Sequence, residues 1–415
     1  MAKRRSFCME SYQVILRGGT PLGMAAGTDI AVSGGKIAAV GPSLPGRAEL
    51  EIDAAGTLIS PSFVDSHMHL DKVLTGLEED ATDTWAAVQI MLRHAKSLPR
   101  DQVREDVKRR ARQVIDWEIA HGSSTLKSHV YCNGIWGLES VYAHRELKEE
   151  YAGRADILNI VPWPDDGDSA LIDQLDQLAR QGCVDFIGGF PYGMPDYRAR
   201  IDAIFRKAEQ FSLPIDLHVD EKDIPDANAF AYICQKTIDT RMEGRVTCGH
   251  LTTLSALPDE EAKPLIELAA QAKINVITLP SCNMYLRGRE DAQPIRRGVT
   301  RIHDFLQAGV NIAYASDNIR DPFRPFGNGD MLEEGLFTAQ VMQYGTRDAL
   351  DKVFHMGTYA AAQNCLLTGY GLDTGCRADL TVIDAPTPSD ALKSLSRRLW
   401  VLKDGRVVAR DGVLV

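Results

Sequence analysis

What this chain of 415 residues lacks removes several classes at once. No run of 18 apolar residues occurs, so no segment reads as a membrane-spanning helix. The basic start Met1-Ala-Lys-Arg-Arg5 would suit a signal peptide, but Ser6-Phe-Cys-Met-Glu10-Ser-Tyr-Gln13 breaks any apolar stretch after it, and the cytoplasm is the expected location. Positive charge is also in deficit. With 46 Lys and Arg against 57 Asp and Glu, the net charge of −11 disfavours nucleic acid, which is held mainly by clustered cations. Eight cysteines are scattered without a Cys-x-x-Cys pair, which points to reduced thiols rather than a disulfide framework or a structural zinc site. The His-x-Glu with Pro-Cys-x-x-Cys of one zinc deaminase fold is missing, and so is any glycine-rich phosphate loop. A small molecule other than a nucleoside triphosphate remains as the expected partner.

What is present is a regular alternation. Short β-like runs at Phe63–His67, Thr125–Val130, Leu158–Val161, Asp185–Gly188, Ile215–His218, Val246–His250, Asn275–Leu279 and Ile312–Asp317 are separated by helical spacings. Such alternation predicts an α/β fold, a (β/α)8 TIM barrel over residues 61–364. The first connection is long, with helical stretches at Thr84–Lys96 and Asp101–His121 that can form part of a lid. Residues 1–60 and 365–415 carry short strands with glycine turns. Neither end suffices for a stable sheet alone, so one small composite β-sandwich domain built from both termini is expected.

Barrel enzymes carry their chemistry at the C-terminal ends of the strands. Strand one ends in His67-Met68-His69, whose imidazoles project to one side of an extended chain. Strand five ends in His218-Val-Asp-Glu221, strand six in His250, and strand eight in Ser316-Asp317-Asn318. A lone histidine at a strand end is more often structural, but four strands delivering ligand-type side chains to one rim point to a metal site. His67, His69, His218 and Asp317 form an N/O set suited to one divalent ion, Zn2+ or Fe2+, able to bring a bound water near neutral pKa. Glu221, three residues past His218, is placed as a proton shuttle, and His250 as the group that polarises the attacking water. His129 ends strand two on the face of Lys127, where pocket-lining and structural roles both stay open. His94, His121, His144, His303 and His355 are assigned no chemistry.

Phe63-Val-Asp-Ser-His-Met-His-Leu-Asp71, His218-Val-Asp-Glu221, Gly249-His-Leu-Thr-Thr253, Leu286-Arg-Gly-Arg289 with Arg296-Arg-Gly-Val-Thr-Arg301, and Asp317-Asn-Ile-Arg-Asp-Pro-Phe323 together resemble the amidohydrolase superfamily. Within it they are most similar to the bacterial cytosine deaminase branch. The resemblance spans nearly the whole chain. It implies a barrel with a composite β domain, one metal on His67, His69, His218 and Asp317, Glu221 as shuttle and His250 at the nucleophilic water. No lysine ends strand four, so the carbamylated lysine that bridges two metals in related hydrolases is not expected.

Departures from that branch bear on substrate. Cytosine deaminases show His-Asp-Asp where this chain has Ser316-Asp317-Asn318, and a tryptophan beside their substrate becomes Phe323. A glutamine that reads the pyrimidine is replaced within Pro164-Asp165-Asp166-Gly167; an ionised Asp165 only accepts hydrogen bonds and favours a ring with extra N–H donors. The stretch around Ser316–Asp321 is closer to N-isopropylammelide amidohydrolases, whereas Glu221 matches cytosine deaminases. The expected activity is a metal-dependent hydrolytic deaminase that attacks an aminated N-heterocycle (pyrimidine, triazine, pterin or another cyclic amidine) with a metal-bound hydroxide and releases ammonia. Asp317 passes the water's proton to the departing amine, and Asp165, Asn318 and Phe323 contact the substrate. An amidase or N-alkylamine hydrolase on the same metal is the main alternative, and a non-catalytic ligand-binding barrel a second. A homo-oligomer is expected.

Overall fold

The computed structural model describes residues 11–75, 79, 81–132, 135–163, 169–192 and 195–415. The chain opens with five strands, β1 (Ser11–Pro21), β2 (Thr28–Ser33), β3 (Lys36–Pro42), β4 (Arg47–Asp53) and β5 (Leu58–Pro61). β1 serves two neighbourhoods. Its first half pairs with β2 and β4, whereas Thr20 and Pro21 pair with β5. The switch falls at Gly18, whose φ of +69° is reached without the strain a Cβ would bring.

Eight parallel strands follow: β6 (Phe63–Met68), β7 (Ser123–His129), β8 (Asp156–Pro162), β9 (Phe186–Gly188), β10 (Ile215–Val219), β11 (Val246–His250), β12 (Asn275–Thr278) and β13 (Asn311–Tyr314). They lie side by side in sequence order. A parallel bridge between Met68 and Asp317 brings the first strand against the last, and the Asp317 N–H donates to the His67 carbonyl at 2.9 Å. The strands therefore close into the expected barrel. Every residue of β6, β7, β10, β11 and β12 is buried, as a parallel sheet covered on both faces requires. Strand eight ends at Tyr314, short of the expected Asp317, which forms an isolated bridge to Met68 and has a φ of +60°.

The long first connection holds helices α1 (Thr84–Ser97) and α2 (Arg100–Ala120). Asp83 caps α1 by accepting from the Ala86 N–H at 2.8 Å. Buried Arg110 of α2 donates to the carbonyls of Asp71 and Val73 at 2.9 and 2.6 Å, tying the excursion to the end of β6. Among the described residues no helix is long and apolar enough to cross a membrane.

After the barrel, β14 (Leu380–Ile383), β15 (Arg398–Lys403), β16 (Arg406–Arg410) and β17 (Val413–Leu414) return to the N-terminal strands, β14 pairing antiparallel with β5. Both termini thus build one sheet. Its core joins Val14, Ile30 and Ile52 to Leu380, Val382 and Leu402. Ala391 and Leu392, from the helix Pro388–Ser394 between β14 and β15, pack instead into the barrel core.

Candidate metal centre

The strand ends expected to converge do so. The Nε2 atoms of His69 and His218 stand 3.2 Å apart, and Asp317 Oδ1 lies 3.3 Å from His69 Nε2 and 3.6 Å from His67 Nε2. His67, His218, His250 and Asp317 each offer a ligand atom within 4.8 Å of the others. All are buried. Sharp turns at the strand ends aim them inward: His250 and Asp317 both have positive φ, uncommon for residues that carry a Cβ.

Burial lowers the imidazoles of His67 and His218 well below their ordinary range and lowers His69 as well. Burial pushes the Asp317 carboxyl up, but His250, His69 and His67 outweigh it and hold the group well below the usual carboxylate range. Deprotonated His67, His69 and His218 beside an ionised Asp317 are the protonation states that ligate a metal. The residues also fit a cation sterically and chemically. His67 Nε2, His218 Nδ1, His250 Nε2 and Asp317 Oδ2 are buried without a hydrogen-bond partner, and the facing Nε2 atoms of His69 and His218, whose donor and acceptor roles depend on tautomer, are near enough to share one cation.

Glu221, its side chain only 9 % exposed, stands beside this cluster. Its Oε1 is 3.7 Å from His250 Nδ1 and 3.6 Å from Arg287 Nη2, and its Oε2 accepts from the Tyr192 hydroxyl at 3.3 Å. His250 is steadied by Asn283, whose Nδ2 lies 3.1 Å from His250 Nδ1.

His129 packs behind the cluster, its Nε2 3.2 Å from His67 Nδ1 and its ring 4.2 Å from that of His218. Behind it Lys127 and Asp216 pair at 2.5 Å, with burial pushing the Asp216 carboxyl up to about 6 against the pull of Lys127. Of the expected substrate contacts, Asn318 has both ends of its amide occupied, Nδ2 donating to Asp321 at 2.6 Å and Oδ1 accepting from Cys282 Sγ at 3.3 Å. Phe323 packs on Ala81, Ala87 and Ile90 of the excursion, under the Lys72 ammonium at 4.3 Å. Asp165 lies outside the described residues.

Four residues of this neighbourhood were not singled out from the sequence: Phe190, Tyr192, Asn283 and Arg287. The segment just after strand four, noted from the sequence only for lacking a lysine, supplies two of them. Phe190 is half exposed with its ring 4.3 Å from that of His218, and Tyr192 reaches Glu221. The signal available was the run Gly188-Gly-Phe-Pro-Tyr192, an aromatic pair at a strand end; Arg287 stood within the quoted Leu286-Arg-Gly-Arg289.

Comparison with known proteins places these features in context. Residues 173–409, more than half of the chain, match the model described as the Amidohydrolase family. The chain is 29 % identical over 404 residues to N-isopropylammelide isopropyl amidohydrolase of Pseudomonas sp. (strain ADP), an alignment covering 93 % of this chain and 94 % of the relative. It is likewise 29 % identical over 404 residues to pterin deaminase of Rhizobium rhizogenes, covering 92 % and 88 %. In structure it resembles 5-methylcytosine deaminase from Klebsiella pneumoniae liganded with phosphonocytosine, with a TM-score of 0.86 at 25 % identity over 95 % of this chain and 98 % of that one.

Proposed function

This chain belongs to the amidohydrolase family, and from that premise we propose that it is a metal-dependent hydrolytic deaminase of an aminated N-heterocycle. The observation that carries the reading is the convergence of His67, His218, His250 and Asp317, each with an unpartnered buried atom, with His69 against His218 and Asp317, beside the carboxyl of Glu221. The relatives and structural neighbour are named for hydrolytic or deaminating chemistry on pterin, N-isopropylammelide and 5-methylcytosine, which are nitrogen heterocycles with an exocyclic amine.

His67, His69, His218 and Asp317 would hold one divalent ion, zinc or ferrous iron. When bound, that ion supplies Lewis acidity, which brings a water molecule's pKa down to about 7. The rest falls to the chain. Asp317 takes up the water's proton at its unpartnered Oδ2 and delivers it toward the departing amine. Glu221 protonates the ring nitrogen next to the amino-bearing carbon, so that carbon becomes electrophilic as the oxygen attacks, and it regains a proton from the added hydroxyl as the carbonyl forms, the exocyclic C–N bond breaks and ammonia leaves. His250, braced by Asn283, donates to the attacking oxygen. Phe323, Asn318 and Asp165 face the substrate in this reading, Asn318 on exchanging its contact with Asp321 for one with the ring. Scattered unpaired thiols and the acidic charge support a cytoplasmic enzyme of small molecules.

A screen for ammonia release over pterin, cytosine, 5-methylcytosine, isocytosine and N-isopropylammelide tests the proposal, with metal per chain measured by elemental emission. Ammonia from at least one ring and one ion per chain is the expected result. Release of isopropylamine alone, the outcome favoured by the N-isopropylammelide relative, would establish the N-alkylamine reading instead. No amine from any ring overturns both.

A further inference from the structure

Arg287 is the residue of the barrel mouth that the mechanism leaves unexplained. It closes the helix Pro280–Leu286 that follows strand seven, and only 8 % of it is exposed. A guanidinium stays charged at any working pH, and burying one is unfavourable unless its N–H groups find acceptors. Its acceptors are unusual. Nη1 donates to the backbone carbonyl of Glu221 at 3.1 Å, and Nη2 stands 3.6 Å from Glu221 Oε1 while donating to Thr84 Oγ1 at the start of α1. Nε is buried without a partner. The ion pair with Glu221 is the only one recorded for this guanidinium among the described residues, so one side chain grips both the main chain and the carboxyl of the same residue.

Glu221 is held from its other side as well. The Tyr192 hydroxyl donates to Oε2, leaving Oε1 between Arg287 and His250. The ends of strands four and seven therefore meet at one carboxyl, and the excursion reaches it through Arg287. Next door, Arg289 Nη1 donates to the Ala81 carbonyl at 3.0 Å, a second contact between the same loop and the segment leading into α1.

We propose that Arg287 is the positioning residue of Glu221, clamping that carboxyl beside the metal cluster and linking its placement to Thr84 of the excursion. The inference rests on the reading of Glu221 as proton shuttle. Its logic is geometric: general acid catalysis needs the donor within hydrogen-bond reach of the ring nitrogen, and misplacement by about 1 Å removes on the order of 100-fold in rate.

A double-mutant cycle separates this from a merely structural role. Using whichever ring of the panel above releases ammonia fastest, kcat and KM are measured for Arg287→Gln, Glu221→Gln and the pair, with enzyme in excess where turnover is slow and metal content checked for each. Arg287→Gln should lower kcat about 10- to 100-fold with metal content unchanged and KM little altered. In the Glu221→Gln background the same change should remove nothing further, because the carboxyl it positions no longer donates. Arg287→Lys should recover part of the loss, since an ammonium restores the charge but not the fork. Thr84→Val should show a smaller loss that also disappears with Glu221→Gln, and it keeps the test open if Arg287→Gln does not fold. Equal losses in both backgrounds, or an unchanged kcat in both Arg287→Gln and Thr84→Val, overturn the clamp. A Glu221→Gln variant that turns over normally, or a panel with no turnover, overturns instead the reading of the site on which the clamp rests.

Discussion

Buried charge is treated in opposite ways at the two ends of the barrel. Where the terminal sheet docks, Lys403 is fully buried, yet its ammonium meets Asp156 at 2.7 Å and Asp379 at 2.9 Å, and Arg377 adds ion pairs to both carboxylates. At the mouth, the imidazoles and the carboxylate crowd together with ligand atoms left unpartnered. The first arrangement completes itself and holds two parts of the chain together. The second is complete only with a ligand, because an unpaired polar atom in a low-dielectric interior is unfavourable unless something else satisfies it.

The contrast can be broken by exchanging which end a substitution damages. Glu221→Gln should cause the largest effect on function, lowering kcat by about 10²- to 10⁴-fold with the metal still present at one per chain; steady-state kinetics with elemental analysis decides this. Lys403→Met should do the reverse. It takes one of two cations from buried Asp379, which keeps Arg377, and should destabilise the fold by about 1.5–3 kcal/mol in chemical denaturation, while the folded fraction keeps its metal and its kcat. Asp317→Asn removes a ligand charge, so metal competition against a chelator should show weakening beyond the roughly 10- to 100-fold typical of outer-shell changes, with a smaller loss of stability than for Lys403→Met.

The smallest expected effect is on pH dependence. Burial holds His67, His69, His129 and His218 below the ordinary 6.5, so in this range these groups bind more protons in the unfolded chain than in the folded metal-free protein. Their contribution to stability then rises with pH, and is lost as pH falls below about 6.5, by up to about 1.4 kcal/mol per pH unit for each such group. Glu334 works the other way, since burial raises its carboxyl from 4.5 to about 7 and it takes up a proton on folding, as Asp216 and Asp321 do from 3.8 to about 6. Raised carboxyls, among them Glu118 and Asp220 as well, therefore oppose the lowered imidazoles between about pH 7 and 6, and the ligand-type histidines are read out through the metal, which binds their neutral form in competition with protons. Loading the metal-stripped protein with zinc should raise the thermal midpoint, and that rise should shrink as pH falls from about 7 to 6; a zinc-induced rise that grows on acidification would contradict this account.

Much of this was legible in the residues. Strands such as Val246–His250 are local in origin, short β-branched and apolar runs bounded by turn residues, and they appear where their composition puts them. His67-Met-His69, His218 and Asp317 could be read as ligands because the barrel fold assigns the C-terminal strand ends to chemistry. Phe190 and Tyr192 were missed because aromatic residues at a strand end look like core. Arg287 was missed because a surface-loop arginine and a buried clamp have the same local sequence.

The sequence by itself determined which side chains are offered: three imidazoles and a carboxylate at strand ends, a glutamate three residues past the third imidazole, and the alternation that closes into a barrel. That information is carried by periodicity and spacing, which need only neighbours along the chain. Tertiary structure alone decided which offers meet. The 3.2 Å approach of His69 to His218 joins residues 149 apart, and the grip of Arg287 on Glu221 and Thr84 spans 66 and 203 positions. Such contacts depend on how strands stagger and loops turn around a closed barrel, and burial then lowers the imidazoles of His69 and His218 below their ordinary range.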